Sequence, residues 1–304
     1  MTGKKVNQPT VLAFMQVQIQ LLQNSNRFGT AQNYQKARNS FAQFLKGNDI
    51  PFKNFTEEII IKYNSFLLQR GLVRNSCSFY MRIMRAICNK AAKQKLIRHT
   101  NLFSDVYTGI DCTRKRAVPQ NIISALHKLN LDKSFKLALS RDLFIFSYCT
   151  RGMSFVDMVY LKKSNLQNGY ISYSRKKTGQ LLIIRIEPII EQIISKYENN
   201  DTPYVFPIIT SSDSYGAFVQ YQKAINTYNR HLGILSKKIM GGYRLTSYTA
   251  RHSWATAARN QNVPISVISA GMGHTSEQTT RIYLDSLENS LIDEANKEIV
   301  EGLI

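Results

Sequence analysis

Apolar residues recur at intervals of three and four along most of this chain, and that spacing restricts it to a mainly helical fold. In the first hundred residues the pattern runs four times, each time after a residue suited to begin a helix. Thr10, Thr30 and Thr56 precede the first three helices, and the fourth begins at about Ser76. Because each helix has one apolar side, we expect a small helical bundle.

Positive charge is concentrated on one side of this bundle. The chain carries 40 Lys and Arg against 20 Asp and Glu, a net charge of +20, and residues 1–117 hold 19 of the basic residues but only 5 of the acidic ones. On the fourth helix, Arg82, Arg85 and Lys93 lie opposite the apolar side. A surplus of this size without acidic partners favours a polyanionic partner, so we expect these three residues to contact a nucleic-acid backbone.

The segment that follows the bundle has no periodic pattern of apolar residues. Arg114, Lys115 and Arg116 lie in it, and we expect them to contact phosphates, while Pro119 occupies a position typical of a first helical turn. The chain therefore divides into an N-terminal tail (1–9), a helical domain (10–105), a linker (106–118) and a second domain (119–304).

The second domain combines helices with one β element. Residues Gly169–Arg175 and Leu181–Ile186 have β-branched or alternating patterns, and the turn between them contains Gly179, which predicts an antiparallel hairpin. Helices are predicted over 120–129, 136–149, 188–197, 213–232, 246–260 and 264–271.

If the second domain acts on a phosphodiester, arginine and lysine must supply the positive charge. No DxD, HxH or HExxH cluster is visible, so we expect neither a metal nor another cofactor. Arginine suits the task because its planar guanidinium binds two phosphate oxygens at once.

Five residues occur in an order that is recognisable. Arg151 follows an apolar helix, Lys177 lies in the hairpin turn, and the segment Ser247–Thr256 contains Arg251. His274 follows Arg251 by 23 residues, and Tyr283 follows His274 by nine. This order resembles the tyrosine recombinase (phage integrase) family, especially integrases of bacterial mobile elements.

The resemblance implies a role for each matching residue. Arg151 and Arg251 would bind the scissile phosphate, and Lys177 would protonate the departing 5′ oxygen, with Lys176 as a rival one position away. His274 would donate a hydrogen bond to the phosphate. Tyr283 would be the nucleophile that forms a 3′-phosphotyrosyl bond with DNA.

Two neighbouring positions qualify that assignment. The family has histidine where this chain has Tyr248, and a phenol with a pKa near 10 is a poor base at neutral pH. Tyr248 is therefore expected to donate a hydrogen bond to phosphate, and His252 is expected to support the site.

The resemblance also implies an architecture and an assembly. The helical domain would be a SAM-like core-binding domain, the second a mostly α catalytic domain with a small antiparallel sheet, and the two would close around duplex DNA. Four copies would recombine two sites. An apolar stripe from Leu284 to Val300 predicts a C-terminal helix that packs either on its own domain or on a neighbouring copy.

No apolar run approaches the roughly 18 residues of a membrane span, so we expect a cytoplasmic, nucleoid-associated protein without a membrane partner. Two alternatives to a recombinase stay open: a DNA-binding regulator of the same fold without catalytic activity, and a type IB topoisomerase.

Overall fold

A computed structural model describes residues 9–98, 101–111, 117–198, 201–239, 242–284 and 300–301, with the side chains of 282–284 excepted. The predicted phosphate contacts Arg114, Lys115 and Arg116 lie outside these residues, as does nearly all of the predicted C-terminal helix. The chain forms two compact units that divide at residues 112 and 113.

Among its described residues, the first unit contains four α-helices, as the apolar spacing predicts. They are α1 (Val11–Asn24), α2 (Phe28–Phe44), α3 (Glu57–Gln69) and α4 (Arg74–Lys93). Their shared core is aromatic at its centre, where the rings of Phe41 and Tyr63 lie 5.0 Å apart and the Tyr63 hydroxyl bonds Ser40 at 2.9 Å. A hydroxyl buried at this depth needs such a partner to offset its lost hydration.

The starts of these helices differ in part from the predicted ones. Thr56 caps α3 as expected, with its hydroxyl accepting from the Ile59 amide. Thr10 precedes α1, but its side chain makes no capping bond. Instead the Asp49 carboxylate, 36 and 37 residues away in sequence, accepts from two amides of the first turn. α2 begins at Phe28, so the expectation that Thr30 precedes it is wrong.

The second unit contains eight helices and one sheet among its described residues. The helices are α5 (Gln120–His127), α6 (Phe135–Cys149), α7 (Phe155–Val159), α8 (Pro188–Lys196), α9 (Ser214–Lys238), α10 (Thr249–Asn260), α11 (Ile265–Met272) and α12 (Glu277–Leu284). The strands are β1 (Leu166–Gln167), β2 (Tyr170–Ser174) and β3 (Leu181–Arg185). They pair antiparallel in the order β1-β2-β3, with Ser172 opposite Ile183.

Helix α6 forms the centre of this unit. It packs against α8, α9 and α10, and four consecutive residues, Leu143–Phe146, are at most 2% exposed. Four consecutive apolar residues cover every side of a helix, so this part of α6 must be enclosed by other elements, which explains its position. The end of α6, the start of α10 and the end of α11 bear the residues of the candidate site.

The molecule is mainly α with a small antiparallel sheet, which confirms the predicted fold class. Within the described part of the chain, no helix combines the length and the apolar character that a membrane crossing requires.

Candidate active site

Arg251 lies in the first turns of α10 and is only 3% exposed. Its Nη1 donates to the carbonyl of Gly152 at 2.8 Å, and its Nη2 donates to the carbonyl of Met272 at 2.6 Å. These two carbonyls belong to the loop after α6 and to the end of α11. A buried guanidinium needs such acceptors, so the site is held together from three elements.

Gly152 makes this approach possible. It adopts a φ of +75°, and a Cβ there would lie 2.7 Å from the Cα of Arg251. A side chain at this position would collide with backbone, which cannot yield as a flexible side chain can. The glycine therefore allows the loop after α6 to pack directly on α10.

His274 lies next to Arg251, immediately after α11. Its Nε2 is 3.0 Å from Arg251 Nη2, and its Nδ1 is 2.8 Å from the hydroxyl of Thr280. Because a guanidinium can only donate, Nε2 must accept, and the ring proton resides on Nδ1. Burial, followed by the charges of Arg251, Arg175 and Lys177, lowers the pKa of His274 to about 4. The imidazole is therefore neutral at physiological pH.

These residues line a cleft of about 150 Å³. Its described lining consists of Ser154, Arg175, Lys177, Thr178, Tyr248, Arg251, His274, Thr275 and Thr279. Three cations and several hydroxyls converge here without a carboxylate in the lining. Such a set of donors is suited to an oxyanion with several oxygens, such as a phosphodiester.

The two lysines of the hairpin turn have different surroundings. Lys177 lines the cleft, whereas the ammonium of Lys176 lies 3.7 Å from the centroid of the Tyr160 ring. The backbone amide of Lys176 donates to the buried Asp157 at 2.9 Å, which fixes the turn against α7. Of the two candidates, Lys177 is thus the one whose side chain is available to a ligand in the cleft.

Tyr248 lines the cleft from the residue that precedes α10. It is 51% exposed, so its ring is not a core side chain. The ring centroid of His252 lies 6.2 Å away, and the His252 amide donates to the Tyr248 carbonyl. His252 itself is half-buried and lies beside the residues that line the cleft.

Arg151, the other arginine that the resemblance predicts to bind the phosphate, lies in the turn after α6. It has a φ of +58°, and its Cδ lies beside Gly271, 3.6 Å from where a Cβ there would be. It lines a neighbouring cleft together with Trp254 and Ala270. The described residues around the Arg251 cleft do not include Arg151. Both Arg151 and Gly152 have a positive φ in this turn.

Arg175, which the sequence pattern does not indicate as a site residue, also lines the cleft. It follows β2 directly and is 7% exposed, and its Nη1 donates to the carbonyl of Gly273. In the sequence it is one of three consecutive basic residues beside a turn, which indicates only a solvated loop. Its buried position depends on packing against a residue 98 positions away.

Tyr283 lies on α12, and its side chain is outside the described atoms. Its position follows Thr279 by four residues and Thr280 by three, about one helical turn. Thr279 lines the cleft, and Thr280 bonds His274. The backbone of α12 therefore brings position 283 to the same stretch of helix that borders the site.

The basic side of α4 lies in the first unit. Arg85 and Lys93 are exposed, and Arg85 donates to the Thr108 hydroxyl at 2.9 Å. Arg82 is half-buried, and its Nε is enclosed without an acceptor. The predicted phosphate contacts thus differ in how readily an external ligand can reach them.

Two family models match this sequence. The phage integrase SAM-like domain matches residues 10–104, and the phage integrase family model matches residues 126–290, more than half of the chain. The chain belongs to the phage integrase family. It is thus a tyrosine recombinase by descent, as its motifs indicate. Comparison with curated protein sequences gives no significant match.

Solved structures of other tyrosine recombinases share this fold. A lambda integrase tetramer bound to a Holliday junction is 14% identical with a TM-score of 0.61, covering 91% of this chain and 78% of that one. The Tn1549 transposon integrase in complex with transposon right end DNA is 15% identical with a TM-score of 0.64, covering 94% and 100%. The XerH site-specific recombinase bound to a palindromic difH substrate is 15% identical with a TM-score of 0.61, covering 88% and 79%. At these identities the likeness establishes the fold.

Proposed function

We propose that this tyrosine recombinase is a site-specific recombinase that cuts and rejoins duplex DNA through a 3′-phosphotyrosyl intermediate. The observation that carries the proposal is the cleft in which Arg251, Lys177 and the donor-rich surroundings of His274 converge beside α12. Cations there would stabilise the negative charge that accumulates on a phosphorane.

Each step of the proposed reaction uses a residue of this chain. The Tyr283 hydroxyl oxygen bonds to phosphorus, the bond from phosphorus to O5′ breaks, and the phenolic proton passes to solvent. Lys177 donates a proton to O5′, and Arg251 binds non-bridging oxygens. Tyr248 donates a hydrogen bond to the phosphate from the rim of the cleft. Religation reverses these steps with a different 5′ hydroxyl, so the bond energy is kept in the phosphotyrosine.

His274 must change its hydrogen bonding to contribute. Its Nε2 accepts a hydrogen bond from Arg251, so that atom has no proton to donate. A phosphate anion beside Arg251 would compensate the surrounding cations and raise the pKa of His274. A proton taken up at Nε2 would then let the ring donate to the phosphate.

DNA as partner is supported by charge. The surplus of basic residues in the first 117 positions and the exposed cations of α4 provide contacts for a backbone. By likeness to the lambda integrase tetramer, we propose that four copies act on two sites. The segment beyond residue 284 would mediate contacts between copies, and accessory proteins play no part in the proposal.

The test is a duplex substrate nicked close to the cleavage site, so that the released fragment diffuses away and the adduct accumulates. Candidate sites are taken from the DNA that flanks the gene. We expect a covalent, protease-sensitive adduct with the wild type and none with Tyr283→Phe, although both bind the DNA. Binding by the wild type without any adduct would instead indicate a regulator without catalytic activity. Relaxation of supercoiled DNA lacking a site would indicate a topoisomerase.

A further inference from the structure

We infer that Arg175, in place of Arg151, is the second arginine that binds the scissile phosphate. This inference rests on the proposed function, since it concerns the same cleft.

The backbone of the hairpin fixes the position of Arg175. Its amide donates to the Gln180 carbonyl at 2.9 Å, and its own carbonyl accepts from the Gly179 amide at 2.8 Å. These two bonds close the turn that also carries Lys177. Arg175 and Lys177 are two residues apart at the base and in the turn of one hairpin, and both line the cleft.

Packing directs the Arg175 side chain into the site. Gly273 ends α11 with a φ of +64°, and a Cβ there would lie 2.7 Å from Arg175 Cδ and 3.0 Å from Leu182 Cδ1. The absence of a side chain at 273 lets the arginine pass between β3 and the end of α11. Its guanidinium reaches the Gly273 carbonyl, one residue before His274.

The guanidinium keeps donors for a ligand. An arginine has five N–H donors in a planar fork. One of the Nη1 hydrogens is used by the Gly273 carbonyl, and no other hydrogen bond or ion pair of this side chain occurs among the described residues. A group that is 7% exposed, lines a cleft and retains donors is placed to bind an anion there.

The charge of Arg175 is felt inside the cleft. Burial, followed by the charges of Arg251, Arg175 and Lys177, lowers the pKa of His274. Arg151 lies instead beside Gly271 and lines the neighbouring cleft. The geometry thus gives one arginine from α10 and one from the hairpin around the same imidazole.

The experiment compares two nicked substrates of identical sequence. One has the ordinary scissile phosphate, and the other has a methylphosphonate, which lacks the negative charge of one non-bridging oxygen. We expect Arg175→Ala to slow adduct formation by roughly 100-fold or more on the phosphate. On the methylphosphonate the deficit relative to wild type should shrink to less than about tenfold, because there is less charge for an arginine to balance.

Arg151→Ala is the matched control. We expect it to slow the reaction by less than about tenfold on either substrate. Arg175→Lys keeps the charge but loses the planar fork, and we expect an intermediate rate. It also replaces the alanine variant if that protein fails to fold, since the lysine can still reach the Gly273 carbonyl.

Three results would overturn the inference while the proposed function stands. The first is wild-type activity in both Arg175 variants. The second is a loss of rate in Arg175→Ala and Arg175→Lys that is the same on both substrates. The third is that the methylphosphonate restores the rate of Arg151→Ala and not that of Arg175→Ala. The failure of the proposed function is distinct, because then the wild type itself forms no adduct with the phosphate substrate.

Discussion

Arg251 is positively charged although it is only 3% exposed, and its neighbours stabilise that buried charge. Two backbone carbonyls and the neutral His274 accept its hydrogen bonds. These acceptors stabilise the buried guanidinium by hydrogen bonding. Under the proposed function, a phosphate that enters the cleft would also pair its negative charge with this guanidinium, Arg175 and Lys177.

The dependence of stability on pH should show whether the His274 imidazole is neutral in the folded protein. Its pKa of about 4 lies below the ordinary histidine value of 6.5, so the folded protein binds fewer protons than the unfolded chain in that interval. The stabilising contribution is therefore complete above pH 6.5 and is lost as the pH falls through about 4. We expect the melting temperature of the wild type to drop more steeply over this range than that of His274→Gln. Parallel curves would contradict the buried neutral imidazole.

The resemblance to the family predicts a histidine at the position of Tyr248. Since the ring is half exposed and lines the cleft, its hydroxyl is expected to donate to the phosphate and its ring to contribute little packing. Tyr248→Phe should slow adduct formation roughly 10- to 100-fold, as expected for one hydrogen bond to a charged group of about 1.5–3 kcal/mol. Tyr248→His should stay active, because imidazole can donate the same bond. A dead histidine variant beside a fully active phenylalanine variant would show that the position is structural.

A substrate with a different leaving group distinguishes the roles of the two hairpin lysines. Lys177→Ala should slow cleavage of normal DNA far more than cleavage of a substrate with a 5′-thiol leaving group, since a thiolate departs without a proton. Lys176→Ala is the control, because its ammonium lies over the Tyr160 ring and away from the cleft lining. Rescue of the Lys176 variant by the thiol would reverse the assignment of the acid.

At the scale of elements, the sequence predicts the helices and strands that local patterns determine. It does not predict contacts between residues that are far apart in the chain. The helices predicted before residue 272 and the hairpin occur close to their expected positions, although α9 ends six residues beyond its predicted end, because apolar spacing and turn chemistry are local signals. The predicted C-terminal helix lies outside the described residues apart from its ends. Asp49 caps α1 from 36 residues away, and β1 has only two residues, too few for a pattern. For the same reason Arg175 could not be predicted as a site residue, since its partner is Gly273 on a distant helix end.

Helix α4 gives a test of the proposed DNA-binding side. Lys93 and Arg85 are exposed, so each should neutralise one backbone phosphate if this side contacts DNA. Replacing either with alanine should flatten the slope of log K against log salt by roughly one unit. Lys62→Ala on α3 is the control, because that lysine is paired with Glu58 at 2.6 Å. Unchanged slopes for both α4 variants would remove this side from the interface.

At the scale of the molecule, the charge is divided according to task. Residues 1–117 carry 19 basic against 5 acidic residues, and the remaining chain carries 21 against 15. Under the proposed function, the surplus in residues 1–117 would attract a polyanion at long range, whereas the cleft of the second unit brings three cations together. A local cluster of this kind can stabilise a pentavalent phosphorus without help from an ion, because arginine and lysine donate directly to its oxygens.

The whole reaction should proceed without a metal ion. Adduct formation on the nicked substrate should proceed at an unchanged rate in excess EDTA, because Arg251, Lys177 and a second arginine supply the charge that Mg²⁺ supplies elsewhere. DNA binding is measured in the same buffers, so that an effect of EDTA on ionic strength is not mistaken for an effect on chemistry. A strict requirement for Mg²⁺ at constant DNA occupancy would refute cationic side chains as the source of transition-state stabilisation. It would also leave the convergence of Arg175, Lys177 and Arg251 without a catalytic reason.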